Sequence, residues 1–128
     1  MHQRNLVLLL TALLVLLPAP AVGQQPVPDS LVIQAATATL RSDLTNFVTA
    51  QEAYFADHVT YARSLRQMRG GYRLSPGVTL VLLTASDSGH SEIAIIDRVP
   101  GLVCAMFVGN APRPLGAGGE GKPVCRGP

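Results

Sequence analysis

The sequence predicts an α+β domain, in which one long N-terminal amphipathic helix lies on a three- to four-stranded antiparallel β-meander and a disulfide closes a C-terminal loop. Three observations carry this prediction. From Leu31 to about Ala56 neither proline nor glycine interrupts a run whose apolar residues recur every three or four positions. After Gly71 the chain changes to short apolar runs separated by Ser-, Pro- and Gly-bearing turns. Two cysteines, Cys104 and Cys125, then bracket a segment rich in glycine and proline.

The first element, residues 1–23, reads as an address outside the fold. Arg4 precedes an apolar run from Leu6 to Leu17 in which only Thr11 is polar, and Pro18 and Pro20 break that run. Ala21 and Gly23 then supply small residues at the −3 and −1 positions of a cut before Gln24, as in a secretory signal peptide. A second candidate cut follows Ala21. The run is shorter than the roughly 20 residues that a membrane span needs. The expectation is an exported domain over residues 24–128, periplasmic or extracellular. The alternative retains the N-terminal segment as an inner-membrane anchor.

Asp29 or Ser30 can cap the long helix by accepting a bond from a free backbone N–H. Ile33, Ala36, Leu40, Leu44, Phe47, Val48 and Phe55 then share one face, while Thr37, Arg41, Asp43, Thr45, Asn46 and Glu52 fall largely on the others. The helix is predicted to end at Asp57–Thr60. Tyr61–Arg69 reads as a second, short helix with Leu65 and Met68 inward, closed by Gly70-Gly71. Tyr72–Leu74 and Val78–Thr84 read as strands around the turn Ser75-Pro76-Gly77. Ser86–Gly89 is the next turn, Glu92–Asp97 the next strand, Pro100-Gly101 another turn and Leu102–Val108 the strand that carries Cys104. Lys122–Arg126 is a candidate edge strand.

Composition narrows the function. Hydrophobic residues make up 48% of the 128 and charged residues 14%, which excludes a disordered polyelectrolyte. Net charge is +2, and aromatics are 5% with no Trp, so neither a basic stripe nor a stacking platform for nucleic acid is present. In an exported chain the two cysteines are expected to pair. The segment between them carries Pro112, Pro114, Gly116, Gly118, Gly119, Gly121 and Pro123, and closing it covalently stabilises the fold by about 3 kcal/mol in the loop-entropy account. Zinc calls for four ligands and short Cys-x-x-Cys pairs, so no metal site is expected.

Several segments are familiar together. Asp43-Leu44-Thr45-Asn46, Ala50-Gln51-Glu52-Ala53-Tyr54-Phe55-Ala56-Asp57 and Tyr61 resemble the end of the long helix in type IV pilin-like and pseudopilin-like proteins, including the major pseudopilins of type II secretion. Ser75-Pro76-Gly77-Val78-Thr79 resembles the lead-in to their first strand. Pro100–Cys104 and Gly121–Cys125 resemble their disulfide-bounded C-terminal region. The resemblance covers roughly Leu40–Arg126. It implies a pilin-type head, with a helix on an antiparallel sheet, that acts by contact with other proteins. The prepilin peptidase site of that family is missing: Gly23 is followed by Gln24-Gln25-Pro26, and no acidic residue lies within the apolar run. The hydrophobic half of the pilin helix is likewise replaced by a signal-peptide pattern.

Chemistry-bearing motifs are few. Gly116–Lys122 matches Gly-x-x-x-x-Gly-Lys, but Pro123 stands where Ser or Thr should reach Mg²⁺, and no helix can follow. No cofactor is expected. Asp87, Ser88, His90 and Ser91 read as a polar hairpin tip, not as a hydrolase site. Arg63, Arg66 and Arg69 recur every third residue, with Arg73 beyond, as a solvated face or a docking surface for an acidic partner or lipid headgroups. The expected function is therefore a non-enzymatic, exported pilin-like structural or protein-interaction module. Its candidate partner surface is Arg63, Arg66, Arg69, Arg73, Asp87 and His90, together with the loop from Gly109 to Glu120. The alternatives are an anchored minor pilin or pseudopilin subunit, and a small periplasmic enzyme or ligand carrier. Neither the partner nor the oligomeric state follows from the sequence.

Overall fold

A computed structural model describes Val27, residues 29–68, residues 70–116 and residues 118–128. Residues 1–23, where a signal peptide is expected, and Arg69 lie outside the described residues. The first element among the described residues is the helix α1 (Asp29–His58), of 30 residues. At 1.5 Å per residue it is about 45 Å long, longer than any strand it covers. Four strands follow: β1 (Val78–Ala85), β2 (Gly89–Ile96), β3 (Val103–Gly109) and β4 (Val124–Arg126). They form one antiparallel sheet in the order β1-β2-β3-β4, so each strand pairs with its sequence neighbour. The chain is α+β, as the patterning predicts.

The helix forms where predicted, and its last residue, His58, falls within the predicted Asp57–Thr60 end. It stops before Val59, whose positive φ of 57° breaks the helical path while its N–H still bonds the Phe55 carbonyl at 2.8 Å. Its buried stripe is Ala36, Leu40, Leu44, Phe47 and Ala50, and this meets Leu80, Ala94, Ile96, Cys104 and Met106 from the sheet. The short turns between strands leave no other way to cover that face.

Two polar side chains of α1 lie in the interface: Asp43, expected on the other faces of the helix, and Gln51, which the apolar spacing assigns to no face. Asp43 is buried and accepts bonds from the Ser75 N–H at 2.8 Å and the Ser75 hydroxyl at 2.9 Å. Gln51 is fully buried; its amide donates to the Ala62 carbonyl at 3.0 Å and accepts from the Ala62 N–H at 2.8 Å. Both tie a loop to the helix and satisfy backbone groups that burial would otherwise strand.

Three further expectations are corrected. The short helix expected over Tyr61–Arg69 does not form among its described residues, 61–68; only Leu65–Met68 form a 3-10 turn, with Met68 buried. A glutamine explains the difference: the Gln67 side-chain oxygen accepts the Arg63 and Ser64 N–H groups, so the segment closes on itself as a compact turn. Tyr72–Leu74 is not paired as a strand. Asp43 draws Ser75 to the helix, and Tyr72 packs edge-on against Phe47 with ring centres 5.1 Å apart, which holds this segment off the sheet. The strand carrying Glu92 starts earlier, at Gly89.

Cys104 and Cys125 are directly opposed on β3 and β4 and form a disulfide. It fastens the three-residue β4, which is too short to hold itself by ladder bonds alone. The double variant Cys104→Ala/Cys125→Ala should lose about 3 kcal/mol of unfolding free energy, read as a lower urea midpoint. An unchanged midpoint would mean that β4 and its loop are held by packing alone.

Candidate functional site

The titratable groups of greatest chemical interest collect at one end of the domain, where the C-terminal end of α1 meets the β1–β2 turn. His90 and Glu92 are two residues apart on β2, so their side chains share a face. The face they share looks toward the helix. Directly opposed residues lie on one side of a sheet, and His90 stands between Ala85 and Val108, Glu92 between Leu82 and Met106. Phe47 and Tyr61 close the space above, with ring centres 6.4 Å and 4.6 Å from the imidazole.

His90 and Glu92 are each 0% exposed. The His90 Nδ1 and the Glu92 Oε2 are 2.8 Å apart. Such a pair is neutral as a whole when it holds one proton, whichever atom carries it. A second proton, or the loss of the first, leaves an uncompensated charge in the core. Burial pushes the Glu92 carboxyl above the usual carboxylate range, and the imidazole beside it offsets only part of that rise. The remaining atoms of the pair, His90 Nε2 and Glu92 Oε1, have no hydrogen-bond partner.

The segment from Thr60 to Ala62 forms the roof over this pair. Besides the two bonds from Gln51, the Tyr61 N–H donates to the Ser86 carbonyl at 3.3 Å and the Tyr61 hydroxyl to Glu52 at 3.0 Å. Burial, reinforced by the Glu52 carboxylate, pushes the Tyr61 phenol up to about 12. Outside, Asp87 accepts from the Thr60 hydroxyl at 2.6 Å and from the Arg63 guanidinium at 3.2 Å. Both bonds, Thr60 first, hold the Asp87 carboxyl below its ordinary range. This corner is exposed, so its ion pair contributes little to stability.

The predicted partner surface is therefore only partly assembled. Arg63 and Asp87 meet at the corner. The β1–β2 turn and the loop beginning at Gly109 also come together, through the Asn110 N–H bonding the Ser88 carbonyl at 3.0 Å. Arg66 and Arg73 are exposed but lie on separate segments, in the 3-10 turn and beyond it, and no helix aligns them with Arg63. Tyr72, Arg73, Asn46 and Thr49 instead line a shallow groove beside α1, together with Ala50 and Ala53. His90 is a correction. It belongs to no surface, because β2 begins at Gly89 and turns its ring inward. Ser91 follows it into the strand, is buried on the opposite face and shares a 3.1 Å hydroxyl contact with Thr84.

Glu92, Gln51 and Tyr61 carry the polar structure here, and the reading of the sequence gave none of them that role. Period-two counting back from Ile96 and Ala94 reaches Glu92 and His90, which is the signal that places the pair inward. Among the described residues no cluster of His, Cys, Asp and Glu could hold a metal ion, and no helix is long and apolar enough to cross a membrane. No protein-family model matches the sequence, and no curated protein matches it.

The raised Glu92 carboxyl makes stability depend on pH in a defined direction. Its folded pKa lies above the ordinary value near 4.3, so its contribution is fully present below about pH 4.3. That contribution is lost as pH rises through the folded value. The advantage of the native protein over Glu92→Gln should therefore shrink as pH rises, by at most about 1.4 kcal/mol per pH unit. Urea midpoints of both proteins between pH 4 and 8 read this directly. A constant difference across the range would show that the carboxyl ionises as freely in the fold as out of it.

Proposed function

We propose that this protein is an exported, non-enzymatic pilin-like module that works by contact with other proteins. The observation that carries the reading is the order of the elements. A single long helix is followed by an antiparallel meander without crossovers, and a disulfide fastens the last strand to its neighbour. That arrangement agrees with the pilin-type head to which the segments from Leu40 to Arg126 bear a resemblance. The distribution of reactive groups adds support. The acid–base pair closest to catalytic chemistry, His90 and Glu92, is sealed under Tyr61 and Phe47, where no solute reaches it.

Export rests on residues 1–23, with their charged start, short apolar run and small-residue cut site. The cystine agrees with an oxidising compartment, where such bonds persist. The loops at the Arg63–Asp87 corner are the surface offered to a partner.

Intact mass, measured without reductant on separated soluble and membrane fractions of the native cells, tests this reading. The expected species is soluble, begins at Gln24 and lacks two hydrogens. A membrane-bound species retaining Leu6–Leu17 would overturn it in favour of an anchored pilin or pseudopilin subunit.

A further inference from the structure

We propose that the free edge of β1 is a self-association surface, on which two copies of this chain pair their β1 strands antiparallel about a two-fold axis. The proposal goes beyond the module described above and depends neither on export nor on the pilin-like reading.

β1 is an outer strand of the sheet and has eight residues. Its sequence, Val-Thr-Leu-Val-Leu-Leu-Thr-Ala, contains no charge and no proline. Natural edge strands are normally blunted by one or the other, because an open ladder recruits other chains. The ladder here is open at Leu80 and Leu82, while the outward N–H of Val78 is taken by the Ser75 carbonyl at 3.1 Å. The Asp97 N–H bonds the Gly77 carbonyl at 3.0 Å, which marks Gly77–Asp97 as a hydrogen-bonded pair. Bonded and non-bonded pairs alternate along an antiparallel ladder. Thr79 and Val81 therefore turn their backbone groups toward β2, and Leu80 and Leu82 turn theirs outward. No backbone bond outside the ladder reaches Leu80 or Leu82.

The geometry also selects the register. A bulge between Leu82 and Thr84 interrupts the strand, so its regular part is Val78–Leu82. Those five residues are centred on Leu80. Antiparallel pairing about that centre sets Leu80 opposite Leu80 of the second copy, in a bonded pair, and Val78 opposite Leu82. Thr79 then faces Val81 of the second copy in a non-bonded pair, where side chains approach most closely.

Three observations favour a second copy as the occupant. The edge is neutral along its whole length, so like meets like without repulsion. Val81 is 43% exposed and Ile95 is 43% exposed on the face turned away from α1, and pairing would join the two copies of this apolar flank across the seam. The opposite edge, β4, has three residues, carries Arg126 and is tied by the disulfide. It offers little to a β1 strand, so head-to-tail growth is disfavoured, whereas a β1–β1 pair uses both long edges and closes.

The test uses protein purified from cells expressing the whole chain, with the native disulfide intact. Light scattering after size exclusion should report a dimer, and Val81→Lys should report a folded monomer whose urea midpoint, unlike that of the native dimer, does not depend on protein concentration. Mixing Thr79→Cys protein with Val81→Cys protein under oxidation should yield a crosslinked dimer that neither variant forms alone, a readout that holds in solution or in membranes. The proposal is overturned by a native monomer at every concentration, by open-ended aggregates, or by Val81→Lys that stays dimeric. Equal crosslinking of each cysteine variant with itself overturns the register.

Discussion

One face of the sheet has the helix α1 as its main cover, with the Thr60–Ala62 segment closing one end, and the rest of the domain depends on that cover staying seated. The apolar share of the seat is ordinary. Leu40, Leu44 and Phe47 are fully buried, and each stabilises the fold by about 1.5–3 kcal/mol relative to exposure. What distinguishes this helix is that it also carries polar clamps. Asp43 holds the approach to β1 through Ser75, and Gln51 holds the segment after the helix through both backbone groups of Ala62. A helix that slid by one turn would unmake both clamps together. The register of helix on sheet is thus set by hydrogen bonds, while its strength comes from burial.

The sealed His90–Glu92 pair belongs to the same logic. It is a poor source of stability, since removing two ionisable groups from water costs more than one short contact returns. It survives because Tyr61 and Phe47 close over it, and Tyr61 is itself held by the Gln51 clamp next door and by Glu52. The roof and the pair are therefore coupled. Charging the pair works against the roof, and lifting the roof admits water to Nε2 and Oε1, the two atoms that have no partner in the closed state.

How much of this was legible depends on where each partner sits in the chain. The α1 stripe was readable because its spacing is local, and so were the turns at Ser75-Pro76-Gly77 and Pro100-Gly101, where residue type alone dictates the bend. The cysteine pairing followed from count and context. Spacing puts Asp43 on the wrong face and says nothing of Gln51, because their partners lie 32 and 11 residues away, beyond any periodicity window. His90 was misplaced for a different reason. Ser86-Asp87-Ser88-Gly89 reads so strongly as a turn that its polar neighbours were absorbed into it. Only the alternation running back from Ile96 separates them. The arginines at 63 and 66 failed as a helical stripe because Gln67 folds back on the Arg63 and Ser64 N–H groups, a local contact that spacing does not encode.

The second face of the sheet shows how unevenly a small domain spends its cover. Toward the β1–β2 turn, the loop between β3 and β4 lies across it. Arg113 sits over the Phe107 ring at 4.9 Å, and Glu120 accepts the Gly109 N–H at 2.6 Å, so Phe107 and Ser91 are buried under a loop whose only regular piece among the described residues is the 3-10 turn Pro114–Gly116. Toward the β2–β3 turn the loop has run out. Ile95, Val99, Pro100 and Val103 are left around a shallow apolar hollow, and Val81 continues the uncovered strip toward the β1 edge. A loop anchored by the Cys104–Cys125 bond can reach only one half of the face. The disulfide that fixes β4 therefore also decides which half of the sheet stays open, and it leaves open the half that adjoins the uncharged edge.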